Sequence, residues 1–106
     1  MKPDVVIEVR FKTTSEGGRQ DPIVTTRHLF GCPVFIDGEA FDCRILLEGK
    51  TLELGGTYKL PIKFLFPDLA LPKLSVGKSV TLWEGKDIAI GKVLLIGPLS
   101  SYHQEG

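Results

Sequence analysis

Two cysteines and two histidines are all that this 106-residue chain offers for soft-metal chemistry. No Cys-x-x-Cys and no His-x-x-x-His spacing occurs, so a zinc site has no support in the pattern. Net charge is also missing, because thirteen Lys and Arg balance thirteen Asp and Glu. That argues against a dedicated nucleic-acid module, whose affinity leans on clustered cations, while leaving room for a small local basic patch. No apolar run approaches the length that spans a bilayer. The N-terminus lacks the apolar core of a signal peptide, since Glu8, Arg10 and Lys12 interrupt it. A cytoplasmic protein with no membrane partner is the expectation. Linkers, low-complexity tracts and internal repeats are lacking as well, as is any self-sufficient catalytic constellation.

What is present is ordinary for a globular chain: 42% apolar and 25% charged residues. The length suits one domain with a core that needs no staples. We expect a single unit over residues 1–106, with a core over about 4–97. The polar stretch 98–106 is expected to be a flexible tail. Twelve Gly and seven Pro, among frequent Val, Ile, Leu, Phe and Thr, favour short strands and turns over helices.

Val5, Ile7, Val9 and Phe11 alternate with Val6, Glu8, Arg10 and Lys12, which predicts a half-buried strand with a charged outer face. After a loop from Thr13 to Pro22, Ile23 to Phe30 reads as a short extended segment running into a turn at Gly31. The stretch from Cys32 to Leu47 is the clearest hairpin. Asp37-Gly38 is a favoured two-residue turn, which would pair Ile36 with Glu39, Val34 with Phe41 and Cys32 with Cys43. One face then carries Cys32, Val34, Ile36, Phe41, Cys43 and Ile45, with Glu39 beside the turn.

This register makes the cysteines cross-strand neighbours on a buried face. Counted from the turn they occupy a hydrogen-bonded pair, where a disulfide fits less well, so two packed thiols are expected. A disulfide, or a metal site drawing on His28 or His103, are the alternatives.

Glu48-Gly49-Lys50 reads as a turn and Thr51 to Leu54 as a short strand. Tyr58, Leu60, Ile62, Phe64 and Phe66 form the apolar face of another strand, in which Pro61 implies an edge or a bulge. Pro72 argues against a long helix. Val80 and Leu82 alternate with Thr81 and Trp83. Ile88 to Ile96 is nearly all apolar, which suggests cover on both faces, and Gly91 inside it marks a bulge or a close backbone approach. Six to seven short strands with near-regular turns predict an all-β, closed or nearly closed antiparallel β-barrel.

Two tight loops stand out, Glu16-Gly17-Gly18-Arg19 closed by Pro22, and Glu84-Gly85-Lys86. They place Arg19 and Lys86 at loop tips, where a rigid scaffold can present them. As ordinary turn residues these cations would only be solvated. Trp83 suits packing at the core or its rim, unless exposed for base stacking. Glu16 and Glu84 are the only carboxylates that invite an acid–base reading, and no pocket signature accompanies them. No enzyme activity is expected.

In order along the chain, three motifs resemble the C-terminal third barrel domain of the bacterial elongation factor Tu family. Glu16-Gly17-Gly18-Arg19 with Pro22 is similar to that domain's opening loop. Leu52-Glu53-Leu54-Gly55-Gly56 followed by Leu60, Ile62, Phe64 and Pro67 resembles its middle. Trp83-Glu84-Gly85-Lys86 followed by Ile88, Gly91 and Val93 resembles its closing hairpin. The resemblance covers most of Asp4 to Ile96 and implies the same barrel. It extends to no P-loop, so neither GTP binding nor any cofactor is implied. A stand-alone relative of that domain, or a fragment of something larger, would read this way; Met1 and the polar tail fit the first.

The family's third domain helps to hold the T-arm of aminoacyl-tRNA and packs against the GTPase domain. By motif position the T-arm contacts fall on Arg19, Gln20, Glu84 and Gly85. Gln20 replaces a position often basic or aromatic in the family. The run Arg27-His28-Leu29-Phe30-Gly31-Cys32-Pro33 replaces a Tyr-Arg-Pro-Gln-Phe stretch, so that surface differs. The expected function is a non-catalytic binding module that docks a protein partner, linked to translation, with Arg27 and His28 on the altered surface. The alternative is an RNA-binding module that keeps a tRNA contact through Arg19, Gln20, Glu84, Gly85 and Lys86. A small-molecule or enzymatic barrel is a third reading.

Overall fold

Ring closure governs this architecture. The computed structural model describes residues 2–25, 30–47 and 49–97. Among the described residues there are eight strands, β1 (Val5–Phe11), β2 (Ile23–Thr25), β3 (Phe30–Ile36), β4 (Glu39–Ile45), β5 (Lys50–Leu52), β6 (Thr57–Phe64), β7 (Ser79–Trp83) and β8 (Asp87–Ile96). Six of them close an antiparallel barrel in the order β1-β6-β4-β3-β7-β8, and β2 with β5 forms a separate two-stranded sheet. A short helix, α1 (Pro67–Ala70), follows β6 and runs into a 3-10 turn over Leu71–Lys73, which accommodates Pro72.

The β3–β4 hairpin has the expected register, with Ile36 opposite Glu39 and Cys32 opposite Cys43. Asp37 and Gly38 both take positive φ, 52° and 79°, the geometry a two-residue turn of this twist demands. Cys32, Val34, Ile36, Phe41, Cys43 and Ile45 all point into the core. Both thiols are free, and the Cys43 thiol donates to the Cys32 carbonyl at 3.0 Å.

Gly91 is a site of close backbone approach. It faces Val9 of β1, and a Cβ there would overlap the Glu8 carbonyl oxygen. The bulge in β8 lies further on, at Leu94, where the pairing slips between Val6–Leu95 and Ile7–Val93.

Several expectations need correction. Gly31 is not a turn but lies within β3 opposite Arg44, whose guanidinium occupies the space a side chain would take. Pro61 is at no edge, because β6 pairs with β1 on one side and β4 on the other. The β4 ladder ends at Ile45, and the Leu46 N–H donates to the Pro61 carbonyl at 2.9 Å. The missing proline amide therefore falls where β4 is leaving the sheet. Cover on both faces of β8 does not occur: Ile90 and Leu95 are exposed, since a single-layer barrel has only one interior. Val6, assigned to the outer face of β1, is buried there between Pro61 and Leu95. Phe66 leaves the alternation of β6 and is exposed, because the strand has ended and the chain is turning into α1. Thr26 to Leu29, with the Arg27-His28 pair, Glu48 of the expected turn, His103 and the 98–106 tail lie outside the described residues.

Candidate functional site

Strand direction sorts the loops onto two ends of the barrel. One end collects the exit of β1, the β5–β6 turn and the β7–β8 loop: the Lys12 N–H donates to the Ile88 carbonyl and the Phe11 N–H to the Gly56 carbonyl, each at 2.9 Å. The opposite end carries the β3–β4 turn, tied to the start of β7 by the Lys78–Asp37 ion pair at 2.8 Å, and also α1, which follows the exit of β6.

At the first end the two glycine loops meet. Gly17 has φ of 90° and reverses the chain after a 3-10 turn over Thr14–Glu16. Gly18 is required for a different reason, since a Cβ there would strike the Lys12 backbone. Glu16 is held by the Thr13 N–H at 2.8 Å and by Arg10 at 3.0 Å. The Thr13 amide first, then the Arg10 guanidinium, hold its carboxyl down at about 2, from 4.5. The Thr14 hydroxyl donates to the Arg19 carbonyl at 2.8 Å, which fixes the far side of the loop.

Arg19 then reaches across to the β7–β8 loop. Its Nη1 lies 2.9 and 3.1 Å from the two Glu84 oxygens, while its Nε donates to the Asp21 carbonyl at 3.1 Å. Its side chain is 23% exposed and that of Glu84 40%. Gly85 takes φ of 74°, and the Glu84 N–H donates to the Lys86 carbonyl at 2.9 Å. Gln20 and Lys86 are exposed on either side. The structure thus brings Arg19, Gln20, Glu84, Gly85 and Lys86 onto one end, while Arg27 and His28 lie outside the described residues. Glu16 and Glu84 are each engaged by a different arginine and form no acid–base pair.

Beneath this ion pair sits Cys32. Burial, with the Glu84 charge adding to it, pushes its thiol up to about 12. Burial likewise raises Cys43, and the neighbouring Cys32 adds to that shift. Neither thiol is poised as a nucleophile. Trp83 stacks on Phe35 on the outer face, with centroids 5.3 Å apart and planes 22° from parallel, so packing accounts for it. Among the described residues no group of three His, Cys, Asp or Glu is placed to hold a metal ion, and no helix is long and apolar enough to cross a membrane.

The opposite end holds residues that sequence reasoning missed. Phe66 and Leu69 are 62% and 63% exposed, on a turn pinned from below by Ala70, which is fully buried. The Leu69 N–H donates to the Phe66 carbonyl at 3.0 Å and Pro67 sets the first helical position. Between this turn and Phe41 of β4 lies a groove of about 270 Å³. The run Leu65-Phe66-Pro67-Asp68-Leu69 was the available signal, but placing Phe66 on the apolar face of a strand that ends at Pro67-Asp68 separated it from Leu69 and hid their shared exposure.

No family model matches this chain, and no match is found among curated proteins.

Proposed function

We propose that this barrel is a non-catalytic binding module that docks a protein partner in the cytoplasm, in the manner of a relative of the third domain of elongation factor Tu and with a link to translation. The observation that carries the docking reading is the pair Phe66 and Leu69, large apolar side chains held outward on a turn that is itself anchored in the core. Exposed apolar groups clustered beside a groove are a feature of interaction sites, and a pinned turn lowers the ordering cost of association. The translation link rests on the three collinear motifs and on a barrel of the implied kind.

Retention of a tRNA contact is the second reading. Exposed Lys86 and Gln20 beside Arg19 favour it, while the engagement of Arg19 by Glu84 weighs against it, since that guanidinium would have to exchange a carboxylate for a phosphate. Affinity capture from extracts of the source cells, comparing the wild type with a Phe66→Ser/Leu69→Ser variant, tests docking. A protein retained by the first and lost with the second is expected. Saturable binding of labelled tRNA that weakens with salt and with Arg19→Ala, without such a protein, would overturn the docking reading in favour of RNA.

A further inference from the structure

We infer that the groove between β4 and α1 receives a peptide segment that sets a bulky apolar side chain next to a lysine or arginine. The inference rests on the protein-docking reading and names the chemistry of the partner. One wall of the groove is β4 from Glu39 to Asp42, and the other is Phe66 with Leu69 and Lys73. Its volume of about 270 Å³ suits one or two inserted side chains rather than a cofactor. Phe66 immediately precedes α1 and Leu69 lies within it, and both line the groove, so both present to the same occupant.

Charge selects the occupant's second feature. Three charged side chains line the groove: Glu39, Asp42 and Lys73. Lys73 is already joined to Glu39 at 3.2 Å. Asp42 forms no salt bridge among the described residues. One carboxylate is therefore left uncompensated at the edge of an apolar groove. A cation placed there by the partner meets complementary charge, while an acidic segment meets repulsion. Hydrophobic contact with Phe66 and Leu69 supplies affinity, and Asp42 discriminates.

The test is selection of a random peptide-display library on the intact wild-type chain, followed by titration of a synthetic enriched peptide into the isotopically labelled protein. Enriched sequences are expected to place Leu, Ile, Phe or Trp beside Arg or Lys, and to shift the amides of Phe41 and Leu69. Leu69→Ser is expected to weaken that peptide roughly tenfold or more. Selection on Asp42→Lys is expected to turn toward Asp and Glu. Both positions are exposed, so thermal unfolding of the variants is expected to stay near wild type. Enriched peptides without basic residues, affinity unchanged in Leu69→Ser, or no enrichment at all would overturn the assignment. Peptides that shift the Arg19–Glu84 end instead would overturn the groove while leaving protein docking in place. An empty selection together with saturable tRNA binding would overturn both.

Discussion

Arg19 and Glu84, 65 residues apart in the chain, are joined through both carboxylate oxygens, and this contact locks the loop after β1 to the loop between β7 and β8. Neither loop packs a large apolar side chain into the core, so the ion pair is a main tie between them. It is partly exposed and therefore screened. Double-mutant cycles with Arg19→Ala and Glu84→Ala, read by urea denaturation, are expected to give a coupling of about 0.2–1 kcal/mol. Zero coupling would mean that the loops hold their positions without the pair.

Gly91 and Gly85 are expected to respond differently to the same change. Gly91→Ala drives a Cβ into the β1 backbone, which ring closure prevents from moving away, and is expected to cost about 1–3 kcal/mol or more. Gly85→Ala meets open space, and its cost is the left-handed backbone alone, about 1–2 kcal/mol. Thermal melts of the two variants rank them. A Gly91→Ala protein as stable as the wild type would show that β1 and β8 are not in close contact at that point.

Glu16 gives the acid limb of stability a defined contribution. Its carboxyl is held at about 2 in the fold against 4.5 ordinarily, so the folded state prefers the ionised form. That contribution is complete above 4.5, declines as pH falls, and is gone below about 2. Glu16→Gln is expected to be less stable than wild type at neutral pH, with the gap closing across that window. Chemical denaturation at a series of pH values checks it; a gap independent of pH would place the effect in packing rather than ionisation.

The two thiols are expected to be silent in the native state. Both are buried and protonated at neutral pH, so attack on a disulfide reagent requires opening of the barrel. Labelling in native buffer should proceed at the rate of opening, and unfolding without reductant should release two thiols. One equivalent reacting at once would show that Cys32 is accessible beside the Arg19–Glu84 pair.

Local rules carried much of the architecture. Asp37-Gly38 set the turn, and the turn set the register of every residue from Cys32 to Cys43, because a two-residue hairpin allows no slip without reversing the faces. Gly91 announced either a bulge or a close approach, and the structure shows the close approach, with the bulge three residues further on. The loop residues of the first end were legible for the same reason: glycine at left-handed positions marks tight turns.

What the sequence by itself determined was therefore the strands, the hairpin, the inward stripe and the glycine loops, all properties with a period or a short range. Only the tertiary structure decided that β6 has neighbours on both sides despite Pro61 and that β8 is covered on one face alone. It also decided that Arg19 finds Glu84 and that Phe66 is left outside with Leu69. Each of these depends on which strands become neighbours when the sheet closes on itself. That choice is made by contacts between distant segments, whose spacing along the chain holds no periodic signal.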